Sequence, residues 1–150
     1  MSSIYIGEKT KGRGKGKMVD MKQGTGMQWE KGTLVYEGQY HQDKKKGRGV
    51  EYNRHATKVY NGEWLDDKYH GIGTEYDCVG RIVYRGSFEE GKREGKGRQW
   101  HQNHFDKDKP DHTVLMYNGD WVDSKWHGFG VLYHDNGKRA YQGHWAEGLK

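Results

Sequence analysis

The chain is 150 residues long with a net charge of +5, and it is strongly polar: 31% apolar residues, a mean hydropathy of -1.25 and 24 glycines. Such hydropathy borders on disorder, yet 11 tyrosines, 6 tryptophans and 3 phenylalanines are present, and rings that bury ~150–250 Å² each can carry a thin core. One proline excludes a proline-rich linker, the single cysteine Cys78 excludes an internal disulfide, and the lack of any run of ~18 apolar residues excludes a membrane-spanning helix.

Residues 1–35 read as a basic segment with a degenerate repeat. The opening "MSSIYIGEKTKG" has no apolar stretch of the kind a secretory leader needs, which with the absent disulfide fits a cytoplasmic setting. Residues 1–50 hold 11 Lys/Arg against 5 Asp/Glu, whereas residues 51–150 hold 15 against 16. The basic excess is therefore concentrated in Lys9, Lys11, Arg13, Lys15 and Lys17, and again in Lys44, Lys45, Lys46 and Arg48. An anionic partner would meet that end of the chain. Within the segment, "YIGE", "MVDMK" and "GTGMQW" look like worn pieces of the units that follow.

From residue 36 onward the repeats are plain. "YEGQYHQDKKKGRG" starts at 36, "YNGEWLDDKYHGIG" at 60, "YRGSFEEGKREGKG" at 84, "YNGDWVDSKWHGFG" at 117 and a partial "YQGHWAEGLK" at 141. The spacing predicts one β-hairpin per unit. The first arm is Tyr-x-Gly-x-aromatic, so that Tyr117, Gly119 and Trp121 share a face and Asn118 and Asp120 take the other. A polar turn such as Asp123-Ser124-Lys125 leads to a second arm with Gly128, Gly130 and Tyr133. Asn136-Gly137, between units, is the strongest short hairpin signal because both residues tolerate positive φ. Helix is the poorer fit to the same spacing: residues at i, i+2 and i+4 do not share a helical face, and glycine is costly there.

Glycine in a strand interior ordinarily weakens it. Here the glycines keep step with the aromatics, and rings can lie flat over the hollows they leave. Gly62, Gly71 and Gly73 are expected to accommodate Tyr60, Trp64 and rings of the next unit. The expected fold is all-β: a single elongated, twisted, open antiparallel meander, about 10 Å per hairpin and roughly 50 Å in all.

The interval of 33 residues between Tyr84 and Tyr117 holds an insertion at about 101–116. His101, His104 and His112 lie there beside Asp106, Asp108 and Asp111. Such side chains can ligate zinc, but without cysteine ligands or a familiar spacing they read as an exposed polar loop. "KGRGKGKM" lacks the remaining residues of a phosphate-binding loop. Cys78, His70 and Asp66 are not brought together by any spacing. No cofactor, no metal and no enzymatic activity are expected. A nucleic-acid partner is not expected either, because the charge sits at one end instead of tracking along a groove.

These units resemble the MORN (membrane occupation and recognition nexus) repeat, whose pattern is roughly Tyr-x-Gly-x-Trp, a short polar turn, then His-Gly-x-Gly. The resemblance is strong over 36–150 and weak over 5–35. It implies an aromatic layer of Tyr36, Tyr40, Tyr60, Trp64, Tyr84, Phe88, Tyr117, Trp121, Tyr141 and Trp145. The His-Gly step survives at His70-Gly71 and His127-Gly128 but is Lys46-Gly47 and Glu94-Gly95 elsewhere, so the histidine is not a required chemical group. The resemblance further implies a non-catalytic scaffold of cytoskeletal or ciliary assemblies, with phosphoinositide binding attributed to some members.

Two functions follow as expectations. The aromatic layer would form an apolar groove for a helix or extended segment of another protein, and the open edge near Tyr141–Trp145 would admit strand addition or end-to-end self-association. The alternative is a peripheral module on anionic membrane, held by the lysines at 9–17 and 44–48.

Overall fold

The computed structural model describes residues 3–102 and 114–150. Eleven strands form one sheet in strict sequence order, each antiparallel to the next. They are β1 (Ser3–Gly14), β2 (Lys17–Glu30), β3 (Thr33–His41), β4 (Lys44–Tyr52), β5 (Lys58–Leu65), β6 (Lys68–Tyr76), β7 (Ile82–Glu89), β8 (Lys92–Trp100), β9 (Leu115–Val122), β10 (Lys125–Tyr133) and β11 (Arg139–Trp145). Described residues contain no helix. The sheet begins at Ser3, so β1 and β2 continue the array without a break near residue 35. The zinc-like residues His104, Asp106, Asp108, Asp111 and His112 lie outside the described residues.

One glycine from every strand stands directly opposite one from the next. The row runs Gly7, Gly26, Gly38, Gly49, Gly62, Gly73, Gly86, Gly97, Gly119, Gly130, Gly143. Over each hairpin's glycine pair lies the ring of its first-arm tyrosine. A Cβ at Gly73 would stand 2.2 Å from the Tyr60 hydroxyl, and one at Gly49 2.1 Å from that of Tyr36. The hydroxyl then donates to the carbonyl three residues on: Tyr36 to Gln39, Tyr60 to Glu63, Tyr84 to Ser87 and Tyr117 to Asp120, at 2.8–3.1 Å. Removing side chains from the row thus makes room for a ring and supplies it with an acceptor. Gly71 does a different job from the one expected. It has φ +55 beside the Glu63 carboxylate and lies in the irregular step of the β5–β6 pairing, so it shapes a bulge and covers no ring.

The hairpin tips are two-residue turns with both central residues at positive φ, as at Gln42-Asp43, Asp66-Asp67 and Asp123-Ser124. Non-glycine residues are strained there. They persist because the turn holds the preceding hairpin. Asp43, Asp67 and Ser124 donate their backbone N–H to the carbonyls of Lys22, Lys45 and Arg93. Their side chains accept from the backbone N–H of the same three residues at 2.7–3.1 Å.

The Asn-Gly signal belongs to the other end of the sheet. Asn136-Gly137 lies in a five-residue connection, His134–Lys138, where only Gly137 has positive φ. The same connection recurs at Asn53–Thr57 and Asp77–Arg81, with Ala56 at φ 59 where the others have Gly80 and Gly137. Alanine is disfavoured in that region, and glycine's greater freedom in the unfolded chain offsets part of the gain. Ala56→Gly is expected to stabilise by about 0.5–1 kcal/mol, read as a thermal midpoint raised by roughly 2 °C; a lowered midpoint would refute this account of the turn.

Candidate functional site

Nine of the ten aromatic residues expected to form a binding surface are core: Tyr36, Tyr60, Tyr84 and Tyr117 are fully buried, and Tyr40, Trp64, Phe88, Trp121 and Trp145 are at most 4% exposed. Tyr141, on the edge strand, is half-buried. The expectation of an open apolar groove on this face is corrected accordingly, because a partner cannot touch rings that are already covered. A single sheet achieves this in two ways.

First, the rings cover one another. Tyr5, Tyr40, Tyr36, Trp64, Tyr60, Phe88, Tyr84, Trp121, Tyr117, Trp145 and Tyr141 form an unbroken edge-to-face zigzag, with centroids 5.1–5.7 Å apart. Each such pair adds about 0.5–1.5 kcal/mol beyond its buried area. The indoles of Trp64, Trp121 and Trp145 donate to the carbonyls of Gly49, Gly97 and Gly130 at 3.1–3.3 Å.

Second, every hairpin lays a long side chain over the zigzag. Lys22 sits over Tyr5 and Tyr40, Lys45 over Tyr36 and Trp64, and Arg93 over Tyr84 and Trp121, at 4.3–5.3 Å. Tyr69 stacks on Tyr60 at 3.8 Å and Trp126 on Tyr117 at 4.7 Å. The polar end of each lid is tied down: Lys45 to Glu51, Tyr69 to Glu51 at 2.6 Å, Arg93 to Glu75, and Trp126 to Gln99. Burial pushes the hydroxyl pKa of Tyr36, Tyr40, Tyr60 and Tyr84 far up, and that of Tyr69 further still because its Glu51 bond needs the proton.

The sequence reading missed the lids because their chemistry differs from unit to unit. A signal for them exists. Lys45, Tyr69, Arg93, Trp126 and Lys150 each follow their unit's first tyrosine by the same nine residues.

The basic residues are divided. Lys45 is a lid and Lys44 pairs with Asp66. Arg48 lies on the far face, directly across from Glu63. By contrast Lys9, Lys11, Arg13, Lys15 and Lys17 are all exposed, on a ribbon of β1 and β2 that runs past the register at which the other hairpins turn. Lys9 pairs with Lys22, the position where β3–β4 has Tyr40 and Lys45, and pairing then continues through Gly14↔Lys17. Lys11 is bonded to Asp20.

Repeat boundaries, glycine row and ring row all recur on one period, and the family model for the MORN repeat matches residues 36–53, 60–80, 84–104, 117–139 and 141–150. The chain belongs to the MORN-repeat family. No curated protein matches it. As a MORN-repeat array it presents two unlike faces: one sealed by lids, the other an open surface crossed by the back of the glycine row. No three His, Cys, Asp or Glu side chains converge on a point among the described residues. Cys78 is exposed in the turn after β6, whereas Asp66 lies in the turn before it, so the two are separated by the length of that strand.

Proposed function

We propose that this chain is a non-enzymatic MORN-repeat scaffold in the cytoplasm that joins other proteins within a cytoskeletal or ciliary assembly. The observation that carries the reading is the asymmetry of the sheet. The edge-to-face rings are spent on one self-contained face, leaving a stiff plate about 48 Å long whose opposite face and whose edge strands β1 and β11 carry no further layer among the described residues. Such a plate can hold partners at fixed spacing. The test is crosslinked co-purification of the tagged chain from its native cells. A discrete set of proteins enriched over a tag-only control is the expected result; recovery of lipid alone, or of nothing above control, would refute the scaffold reading.

One observation favours a second reading, peripheral attachment to anionic phospholipid such as phosphoinositides. The overhanging ribbon places Lys9, Lys11 and Arg13 at alternate positions of one strand with Lys15 and Lys17 at its tip, and each basic residue near an anionic leaflet adds about 1 kcal/mol. Sedimentation with phosphatidylserine vesicles, compared with neutral vesicles and with a Lys9→Gln, Lys11→Gln, Arg13→Gln variant, decides it.

A further inference from the structure

The open face has its own cross-sheet row, one residue to the side of the glycines. In direct register run Ile6, Met27, Glu37, Val50, Asn61, Thr74, Arg85, Arg98, Asn118 and Val131. The row changes character along the sheet. Its β1–β2 end is apolar, with Ile6 at 62% and Met27 at 43% exposure. Its middle is a run of hydrogen-bonding groups centred on two exposed arginines.

Arg85 and Arg98 stand directly opposite each other on β7 and β8. Like charges facing across an antiparallel pair are unfavourable. Neither guanidinium has a carboxylate within ion-pairing distance among the described residues; the Arg85 Nε donates to Thr74 Oγ1 at 3.2 Å, and Arg98 faces Asn118. The nearby acids are engaged elsewhere. Asp120 is paired with Lys96, Glu63 accepts the Ile72 N–H, and Glu37 is held by the Tyr52 hydroxyl. A cleft of about 330 Å³ lies beside Arg85, floored by Gly62 and Gly73. A second, of about 480 Å³, continues over Gly38 and Gly49 toward Met27 and Ile6.

We infer that this row binds an extended acidic segment of a partner protein, with carboxylates on Arg85 and Arg98 and an apolar side chain on the Met27–Ile6 end. The inference rests on the scaffold reading and names its partner's chemistry. Carboxylates are the groups that two unpaired, adjacent guanidiniums recognise. The walls of the groove are the residues either side of each glycine, about 7 Å apart along a strand, which admits an extended chain and excludes a helix of about 10 Å diameter. Five strand intervals separate Met27 on β2 from Arg85 on β7, about 24 Å, or some seven residues of extended peptide.

The probe is a fluorescein-labelled dodecapeptide of serine and threonine with one isoleucine and two glutamates beginning seven residues from it, together with its reversed sequence. Binding by one of the two, followed by anisotropy, is expected to weaken at least tenfold when its glutamates become glutamine, or when the protein carries Arg85→Gln and Arg98→Gln. Met27→Ser should weaken it by a smaller factor. Because the arginines repel, Arg98→Thr should weaken peptide binding severalfold, less than the double variant does, while leaving the thermal midpoint unchanged or raised by about 1–2 °C. Equal binding of the glutamine peptides, no binding of either glutamate peptide at millimolar concentration, or full binding by the double arginine variant would overturn the inference. So would vesicle binding that depends on this arginine pair, which would reassign it to lipid. Retention of co-purifying proteins by the double variant would leave the scaffold reading standing while removing this face from it.

Discussion

Gly73→Ala is expected to destabilise the array by about 3 kcal/mol or more, although it adds a single methyl group and strand propensity favours alanine. The new Cβ would lie 2.2 Å from the Tyr60 hydroxyl and 2.4–2.5 Å from ring carbons that are fully buried. The ring cannot yield without losing its bond to the Glu63 carbonyl and its contacts with Trp64, Tyr69 and Phe88. Gly14→Ala is the matched control: its Cβ meets a valine methyl on the exposed ribbon at 3.0 Å, so its effect should stay within about 1 kcal/mol. Tyr60→Leu alone should also be costly, at about 3 kcal/mol. In the double variant the two losses should fall short of additive by roughly 2 kcal/mol, since the clash disappears with the ring. Chemical unfolding of the four proteins reads this directly, and strict additivity would show that the glycine row is not shaped by the tyrosines.

Alkaline unfolding should be abrupt. A tyrosine whose folded pKa lies above its unfolded value near 10 stabilises the fold fully below pH 10, and that stability is lost as pH rises from 10 toward the folded value. Burial pushes Tyr117 up to about 12 and carries Tyr36, Tyr40, Tyr60, Tyr69 and Tyr84 higher. Each lowers stability by up to about 1.4 kcal/mol per pH unit over that interval, so the six together lower it by roughly 8 kcal/mol per unit. That approaches the whole stability of an ordinary domain, about 5–15 kcal/mol. Tyrosinate absorbance at 295 nm and loss of β-sheet dichroism should therefore rise together in one step between about pH 10 and 12. Gradual ionisation around pH 10 with the sheet intact would contradict the burial of these rings.

The fold was legible because Tyr-x-Gly-x-aromatic carries two signals at once. Alternation at period two sets the face, and recurrence at 24 residues sets the unit. The insertion between Trp100 and Leu115 did not obscure the pattern, since β8 and β9 still pair in register through Gly97 and Gly119. What could not be read was which face remains free. Exposure of Tyr60 or Trp121 depends on rings three to five residues away and on neighbouring hairpins, and on a lid whose identity runs from lysine to tryptophan. The eye for composition sees Lys45 as surface charge and Trp126 as a spare aromatic, yet both do the same job nine residues after their tyrosine. Arg85 and Arg98 were equally hidden. Thirteen residues apart in sequence, they meet only through the β7–β8 register.

Every hairpin after the first is fastened by its own turn to the strand before it, through bonds such as Asp67 to Lys45 and Ser124 to Arg93. Among the described residues no bond of this kind skips a unit. Excision of one whole period, such as 60–83, would present the same donors, hollows and lids to the new neighbour and shorten the plate by two strand widths, about 10 Å. Evolution can thus adjust the separation between two points on the plate by copying or deleting a single cassette, without redesigning the material on either side of the cut.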